Sequence, residues 1–392
     1  MTQDTTYPAS FPNAEEELFL KLILCREIDF LQLFEQWKQS IVFNDIDYAT
    51  MRLLPLLYLR LKPYPIHDEI TGRIKGTYRL AWYKNQRILG ATREIVKLLQ
   101  DQHIPVMLMK GIPLLINAYK NPGARFMNDA DLYIHKDHVV RAITLMQDHG
   151  WLPQEYLFSS TKTISSSLLD TYNEVTYTIN PSVEVDLHWN IFEPIKIHTF
   201  FSSSKPIDHS MSLDLVWSET VPFLLQSVPC LIPCNEDLLI HVILHGATHN
   251  NHRAIRWVVD ASTVIRNNPI RWDFLLERIH AFDCIIEMQT AFSYLEHKIE
   301  ISIPESFTDK LANLPVDSSK LKTYYKAALP TDTVSLFKKV LFLFRTYLRN
   351  TTSITFTEFL CHEWKLKEPR EVLPFMSQKL KMRFFQLFKK KK

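Results

Sequence analysis

Glycine is scarce in this sequence, with only 7 residues among 392. The usual share in globular proteins is roughly 7%, so the shortage argues against a fold rich in tight turns and favours long helices. Each remaining glycine is informative, because it marks a place that needs an unusual backbone or a close approach. Gly111, Gly123 and Gly150 fall within one short region, and Gly246 is the only glycine after it.

Other absences narrow the class of protein. The five cysteines are odd in number and widely scattered, which does not fit a disulfide framework. No uninterrupted apolar run reaches the roughly 18 residues of a membrane span, and the N-terminus lacks a basic stretch followed by an apolar core. We therefore expect a cytoplasmic protein without a transmembrane segment. The formal net charge of +2 gives no global attraction to nucleic acid.

The apolar periodicity predicts helices on both sides of a mixed central region. The predicted helices cover residues 14–37, 47–61, 67–102, 235–249 and 254–266. Between them, short strands alternate with helices, which is typical of a mixed sheet. We predict an α+β (mixed α/β) fold, in which a small mixed-sheet core at 78–215 is flanked by an N-terminal helical region at 1–77 and a C-terminal helical region at 216–392.

The central region carries the residues with the clearest chemistry. A predicted strand at 106–109 ends in Lys110-Gly111, where a helix begins, and a second strand at 129–135 carries Asp129 and Asp131. Side chains two residues apart on a strand share one side, and two adjacent carboxylates repel each other unless a cation such as Mg²⁺ neutralises them. A glycine at a strand-to-helix junction lets a phosphate approach free helix amides. A predicted hairpin at 174–189 adds further carboxylates.

Several segments resemble a known family. The runs MLMKGIPLLINAY, GARFMNDADLYI, VEVDLHW and LHGATHNNHRAIRWVVDA resemble the polymerase-beta-type nucleotidyltransferase superfamily, in particular its bacterial family of uncharacterised nucleotidyltransferases. The resemblance covers about 78–265. It implies that Asp129 and Asp131 bind catalytic metal ions and that a third carboxylate completes the site. Asp186 is the expected third carboxylate, with Glu184 on the same strand face as the alternative.

The resemblance also suggests which residues hold the nucleotide. The superfamily's usual Gly-Ser at the phosphate helix is replaced here by Lys110-Gly111, and we expect Lys110 to supply a point charge for the triphosphate. Arg125 is expected to reach a phosphate or an acceptor, with a salt bridge as the alternative role. His188 lies on the strand face of Asp186 and is a candidate nucleotide-binding residue, with orientation of a carboxylate or a structural role as the alternatives.

Three histidines share one face of a predicted helix: His241, His245 and His249. A zinc site would need the nearby Cys230 and Cys234, whose spacing is a poor match to known zinc motifs. We expect instead that this helix flanks the cleft, with Arg256 and Asp260 close to the substrate or within a buried polar network.

Together these features predict a metal-dependent nucleotidyltransferase. We expect it to move a nucleoside monophosphate from an NTP to an acceptor with the help of two Mg²⁺ ions. The near-neutral charge favours a small molecule or a peptide as acceptor over nucleic acid. The alternatives are a catalytically inactive nucleotide-binding or interaction protein and an RNA-end nucleotidyltransferase. The basic tail at 389–392, with its neighbouring aromatic residues, is a candidate for weak contact with a membrane surface.

Overall fold

The computed structural model of the chain describes most of its residues. The described ranges are 7–8, 11–25, 27–155, 158–159, 172–180, 183–190, 209–248, 255–318, 320–321, 355–364 and 366–379, together with positions 164, 169, 324, 344 and 347. Two compact units are distinguished within the chain. The first comprises residues 1–133 and 191–330, and the second comprises residues 134–190 and 331–392.

The described residues contain α-helices and six β-strands. The helices are α1 Ala14–Leu24, α2 Glu27–Ser40, α3 Tyr48–Met51, α4 Leu54–Leu61, α5 Glu69–Asp101, α6 Gly111–Pro113, α7 Val139–Asp148, α8 His209–Ser218, α9 Asn235–Thr248, α10 Arg256–Asn267, α11 Trp272–Ala281, α12 Ile285–His297, α13 Glu305–Ala312 and α14 Phe356–Glu363. The strands are β1 Met107–Met109, β2 Asp129–Tyr133, β3 Glu174–Asn180, β4 Val183–His188, β5 Val221–Leu225 and β6 Val228–Ile232. The predicted α+β class with helical flanks is confirmed.

Side-chain caps fix where the N-terminal helices begin. The Asn13 side chain accepts a hydrogen bond from the Glu16 amide at 3.0 Å, and the Glu16 carboxylate accepts one from the Asn13 amide at 2.7 Å. This reciprocal capping box satisfies two amides that a helix start leaves unpaired. The predicted helix at 14–37 is divided in two, because Cys25 adopts an extended conformation that ends α1.

The long helix predicted at 67–102 is confirmed as α5, which has 33 residues. Its N-cap is Asp68, whose side chain accepts from the Thr71 amide at 2.8 Å. Apolar residues seven positions apart, among them Ile74, Ile88 and Ile95, are fully buried. This spacing places them on one side of the helix, so α5 packs that side against the core and leaves the opposite side in solvent.

Four of the strands lie in the first unit, in the order β2-β1-β6-β5. The short central strand β1 pairs antiparallel with β2 and parallel with β6, and its residues are 0–1% exposed. β5 and β6 form an antiparallel hairpin. A mixed sheet with a fully buried central strand is stable only when other elements cover it, and α5 and α6 pack against it here.

The β5–β6 hairpin was not predicted from the sequence. Its turn consists of Gln226 and Ser227, which have φ angles of 47° and 72°. Two-residue hairpin turns with positive φ at both positions strongly favour Asn-Gly or Asp-Gly. Gln-Ser carries no such signal, so a turn at this point was not predictable from the residue types.

The helices after the sheet pack closely in the first unit. A Cβ added to Gly246 of α9 would lie 2.1 Å from the Cβ of Trp257 in α10, so only glycine permits this approach. The rest of the interface is apolar, with Ile243 and Val258 fully buried. Across the described residues, no helix combines the length and apolar character required to cross a bilayer.

The second unit contains the predicted hairpin, which is confirmed as β3 and β4. The register pairs Thr176 with Asp186 and Glu174 with His188, and it shifts between Thr178 and Asn180. The unit also holds α7 and α14. The alternation of buried and more exposed residues along β4 gives the hairpin one apolar side and one polar side.

Candidate active site

The site begins where β1 ends. Lys110 follows with φ 51° and ψ −105°, a backbone conformation that side-chain-bearing residues rarely adopt, and Gly111 then starts α6. Such a conformation persists only when the surroundings hold it. Lys110 Nζ donates to Asp131 Oδ1 at 2.5 Å, which joins this turn to β2. Burial alone would lower the pKa of Lys110, but the charge and hydrogen bond of Asp131 help to raise it well above its usual value.

β2 presents the two predicted carboxylates on one side. The β1–β2 register places Asp131 opposite Met109, next to the strand end that carries Lys110. Asp131 is 4% exposed, and Asp129, two residues earlier, is half-buried. Because side chains alternate along a strand, both carboxylates point the same way. The sequence therefore predicted their common direction, and the structure adds Lys110 as a partner of Asp131.

Asp129 provides the open carboxylate of the site. Burial raises the pKa of Asp129 and the charge of Asp131 adds to the effect, while three cations, Lys110, Arg256 and Arg52, act in the opposite direction. Among the described residues, no donor lies within hydrogen-bonding distance of its carboxylate oxygens. A carboxylate that is buried to this degree without a donor is costly, so it is suited to receive a ligand.

A cavity of about 760 Å³ lies in front of this carboxylate. Its acidic, basic and histidine lining residues are Glu16, Asp47, Arg52, Lys110, Arg125, Asp129, Asp131, His241, His245, Arg256 and Asp260. All of them belong to the first unit. Pockets that bind ligands of nucleotide size span roughly 300–1,000 Å³, so the cavity is large enough for such a ligand.

Arg125 is held by Asp260 in the wall of the cavity. Its Nε and Nη2 groups donate to the two carboxylate oxygens at 2.9 and 3.0 Å, and the Tyr119 hydroxyl donates to the same carboxylate at 2.7 Å. Arg125 is 6% exposed and Asp260 3%. The expected polar network around Asp260 and Arg256 is thus confirmed, with Arg256 at 3.8 Å. Direct contact of Arg125 with a ligand stays a prediction.

Two close contacts position the segment that leads to Asp129. A Cβ added to Gly111 would lie 2.9 Å from Met127 Sδ, so a larger residue here would displace the Met127 side chain. Asn85 of α5 is fully buried, and its amide donates to the carbonyls of Pro122 and Arg125 at 2.7 Å each. Asn85 was not among the residues predicted from the sequence. A polar residue on the apolar side of a long helix is the signal that could have identified it.

Arg52 and Tyr48 form a further wall that the sequence analysis also missed. The Arg52 guanidinium lies over the Tyr48 ring at 5.4 Å, and its Nε is buried without a hydrogen-bond partner among the described residues. Tyr48 is 53% exposed, and its hydroxyl accepts from Asn128 Nδ2 at 2.8 Å. No local pattern marks Arg52, because its position near Asp129 arises only from tertiary packing.

Three arginines lie close together in the cavity lining: Arg52, Arg125 and Arg256. Burial lowers the pKa of Arg256 to about 9, and the charges of Arg125 and Arg52 add to the effect. Burial also lowers the pKa of Arg52, with Arg125 as the next cause. Neighbouring cations that disfavour one another are stabilised when an anion enters between them. The wall is therefore suited to phosphate groups.

The remaining predicted site residues lie on β4 in the second unit. Asp186 is half-buried, whereas Glu184 is exposed and accepts from Gln154 Nε2 at 3.3 Å. His188 is 5% exposed, and its Nδ1 lies 3.1 Å from Glu174 Oε2. The burial of Asp186 favours it over Glu184 as the third carboxylate. Both that role and a ligand-binding role for His188 stay predictions.

The helix with the predicted histidines does flank the cavity. The rings of His241 and His245 on α9 are nearly parallel, with centroids 6.0 Å apart, and both residues line the cavity. Burial raises the pKa of Cys230 to about 11 and that of Cys234 to about 12, which disfavours the thiolate that zinc binds. His249 and the basic tail at 389–392 lie outside the described residues.

A turn carrying Lys110-Gly111, paired carboxylates on the next strand and a cavity lined by arginines together form a site suited to nucleotide chemistry, as found in nucleotidyltransferases. Comparison with protein families gives the same class. The chain belongs to the family described as "Uncharacterised nucleotidyltransferase", whose model matches residues 48–297. This match includes Arg52, Asp129 and Asp260, so the cavity lies mostly within it. The protein is accordingly a transferase of nucleotidyl groups. A comparison with curated proteins gave no match.

Proposed function

We propose that the protein uses a divalent metal, Mg²⁺, to transfer a nucleoside monophosphate from an NTP to an acceptor. The observation that carries this proposal is the Asp129 carboxylate, which lines a cavity together with Arg52 and Arg256 and has no donor within bonding distance among the described residues. In the transfer, an acceptor oxygen forms a bond to the α-phosphorus while the bond to pyrophosphate breaks. The proton of the acceptor passes to a carboxylate, a role we assign to Asp186.

The residues on β2 fit a hard metal ion. Asp129 and Asp131 offer carboxylate oxygens, which Mg²⁺ prefers, and they point to one side of the strand. A bound cation would also offset the mutual repulsion that contributes to the raised pKa of Asp129. Mg²⁺ held by these residues supplies charge neutralisation at the phosphate oxygens. Lys110 already neutralises Asp131 in part, so a bound metal ion would share this carboxylate with the lysine.

The cationic side chains are the proposed binding groups for the triphosphate. Lys110 offers a point charge at the end of β1, while Arg52 and Arg256 offer guanidinium groups across the same cavity. Guanidinium groups recognise phosphates through paired N–H donors. Burial and repulsion from neighbouring arginines lower the pKa of both arginines. A phosphate bound between them would offset this repulsion, so the two charged side chains favour binding of the anion.

A transfer assay tests the proposal directly. Each labelled NTP is incubated with cell extract and the purified protein, and both label transfer and pyrophosphate release are measured. We expect Asp129→Asn and Asp131→Asn to lose activity by about 10³-fold or more, as for removal of a metal ligand. Asp309→Asn alters an exposed residue of α13 and serves as the matched control. Retained turnover in both β2 variants would contradict the mechanism.

Two further comparisons assign the remaining roles. Asp186→Asn should abolish transfer, whereas Glu184→Gln should retain it; the opposite result would exchange their roles. Arg52→Gln should weaken Mg²⁺-dependent NTP binding by about tenfold, the effect of losing one charged hydrogen bond, as measured by calorimetry. Nucleotide binding without any pyrophosphate release would instead identify a binding protein that has lost catalysis.

A further inference from the structure

Three of the protein's glycines lie on the side of α5 that faces away from the core. A Cβ added to Gly72, Gly76 or Gly90 would meet no atom within 4 Å, so packing does not require glycine at these positions. Glycine in the interior of a helix weakens it relative to alanine. It also leaves the helix backbone open to close approach by another molecule. This side of α5 therefore has the properties of a contact surface.

The same part of α5 is rich in basic residues. Residues 70–92 contain five basic residues and no acidic residue: Arg73, Lys75, Arg79, Lys84 and Arg87. Positions 75, 79, 83 and 87 recur every four residues, so they form one stripe of roughly 18 Å at 1.5 Å per residue. Like charges four residues apart disfavour a helix. A negatively charged partner would reverse that effect.

The last turns of α5 show a different arrangement of charge. There, Arg93 pairs with Glu94 at 2.7 Å, and Lys97 pairs with Asp101 at 2.6 Å. In contrast, neither Lys75 nor Arg79 has a carboxylate partner among the described residues. The charge excess is thus a local property of one half of the helix, which the overall net charge of +2 conceals.

Exposed aromatic and apolar side chains lie among these cations. Leu80 is 57% exposed, Trp82 46% and Tyr83 58%. The Arg87 guanidinium lies 5.9 Å from the centre of the Tyr83 ring. Aromatic rings that alternate with basic side chains are the arrangement by which proteins bind single-stranded nucleic acid, because bases stack on the rings and phosphates meet the cations.

This surface leads to the cavity. Lys84, at its edge, donates through Nζ to Asn128 Oδ1 at 2.8 Å and lies 5.1 Å from the centre of the Phe126 ring. Asn128 immediately precedes Asp129 and lines the cavity. A strand bound along α5 could therefore place its end beside the carboxylates.

We propose that the exposed side of α5 binds single-stranded RNA and that the end of this RNA is the acceptor for nucleotidyl transfer. The acceptor role of the RNA rests on the proposed function, whereas RNA binding by α5 does not. The terminal hydroxyl oxygen of the RNA forms the new bond to the α-phosphorus, pyrophosphate leaves, and the hydroxyl proton is released. The stripe formed by Lys75, Arg79, Tyr83 and Arg87 holds the strand.

Fluorescence anisotropy with a short labelled single-stranded RNA tests the binding. The full chain should bind it more tightly than a duplex of equal length. The triple variant Lys75→Gln/Arg79→Gln/Arg87→Gln should bind at least about tenfold more weakly. The slope of log K against log salt concentration should become shallower by about 2, because each lost phosphate contact reduces it by about 0.7. Tyr83→Ala should weaken binding through lost stacking. The double variant Arg93→Gln/Lys97→Gln alters the paired cations and should bind as the unmodified protein does.

Two outcomes would overturn the inference: equal binding by the triple variant and the double variant, or preferential binding to vesicles of anionic lipid over RNA. Its failure is distinguishable from failure of the proposed function. Asp129→Asn should still bind RNA while losing transfer. If the RNA inference alone is wrong, the triple variant should transfer label to its acceptor at the unmodified rate.

Discussion

Arg125 and Asp260 are 135 residues apart in the chain, yet they form a buried ion pair with two hydrogen bonds of 2.9 and 3.0 Å. Burial alone would raise the pKa of Asp260, but the charge and hydrogen bonds of Arg125 hold it below its usual value. Asp260→Asn should therefore destabilise the protein by about 3–5 kcal/mol, since it leaves a buried guanidinium without its counter-charge. Urea unfolding measures this loss.

An exposed ion pair provides the control for that measurement. Lys310 and Asp273 are 2.7 Å apart, with the Asp273 side chain 83% exposed. Asp273→Asn should change the free energy of unfolding by only about 0–1 kcal/mol. If Asp260→Asn and Asp273→Asn lowered the free energy of unfolding equally, the buried ion pair would contribute no more to stability than the exposed one.

The two aspartates of β2 should respond oppositely to loss of charge. Because the pKa of Asp129 is raised, its charged form is disfavoured in the folded state, and Asp129→Asn should raise the thermal midpoint by a few degrees without metal or nucleotide. The gain should appear only above about pH 4, where the unfolded carboxyl group is ionised. Asp131→Asn should lower stability by about 1–3 kcal/mol, because it removes the partner of Lys110. Equal shifts in one direction would contradict this difference.

Two helical glycines should also respond oppositely when changed to alanine. In Gly246→Ala, the new Cβ would meet Trp257 at 2.1 Å, and the overpacking should cost about 1–3 kcal/mol. In Gly90→Ala, the new Cβ meets nothing within 4 Å, and the better helix propensity should add about 1 kcal/mol. Chemical denaturation measures the free energy of unfolding of both variants. Stabilisation by Gly246→Ala would show that α9 and α10 can separate without cost.

The cap of α5 should make stability depend on pH in the acid range. Hydrogen bonds from the Thr71 backbone and side chain lower the pKa of Asp68 to about 2. A lowered carboxyl pKa gives stability that is present above the unfolded value of about 3.9 and is lost as the pH falls through about 2. Asp68→Ala should therefore cost about 1 kcal/mol at neutral pH. This difference should shrink between pH 4 and pH 2, and a difference that stayed constant would exclude the carboxylate as its source.

The sequence predicted the elements that depend on local pattern. The period of α5, the pairing of β3 with β4 and the common direction of Asp129 and Asp131 all follow from residues close together in the chain. The family followed from the motifs around Lys110 and Asp129, and the match at 48–297 confirms it.

Features that depend on long-range packing were not predictable in this way. Arg52 reaches the cavity only because α3 packs beside the segment before Asp129, and Asn85 has its role only through the carbonyls of Pro122 and Arg125. The turn at Gln226 escaped prediction for a different reason, since its residue types are unusual for its backbone. In each case the determining interaction lies outside the local pattern.

The position of β1 has a consequence for biosynthesis. This apolar strand is covered partly by β6, whose Leu231 pairs with Met107, so a growing chain must expose β1 until that much later segment has been made. Translation proceeds at roughly 5–20 residues per second, which leaves the strand open to aggregation for seconds. Strong overexpression should therefore drive the protein into inclusion bodies, and slower synthesis or added chaperones should recover soluble material.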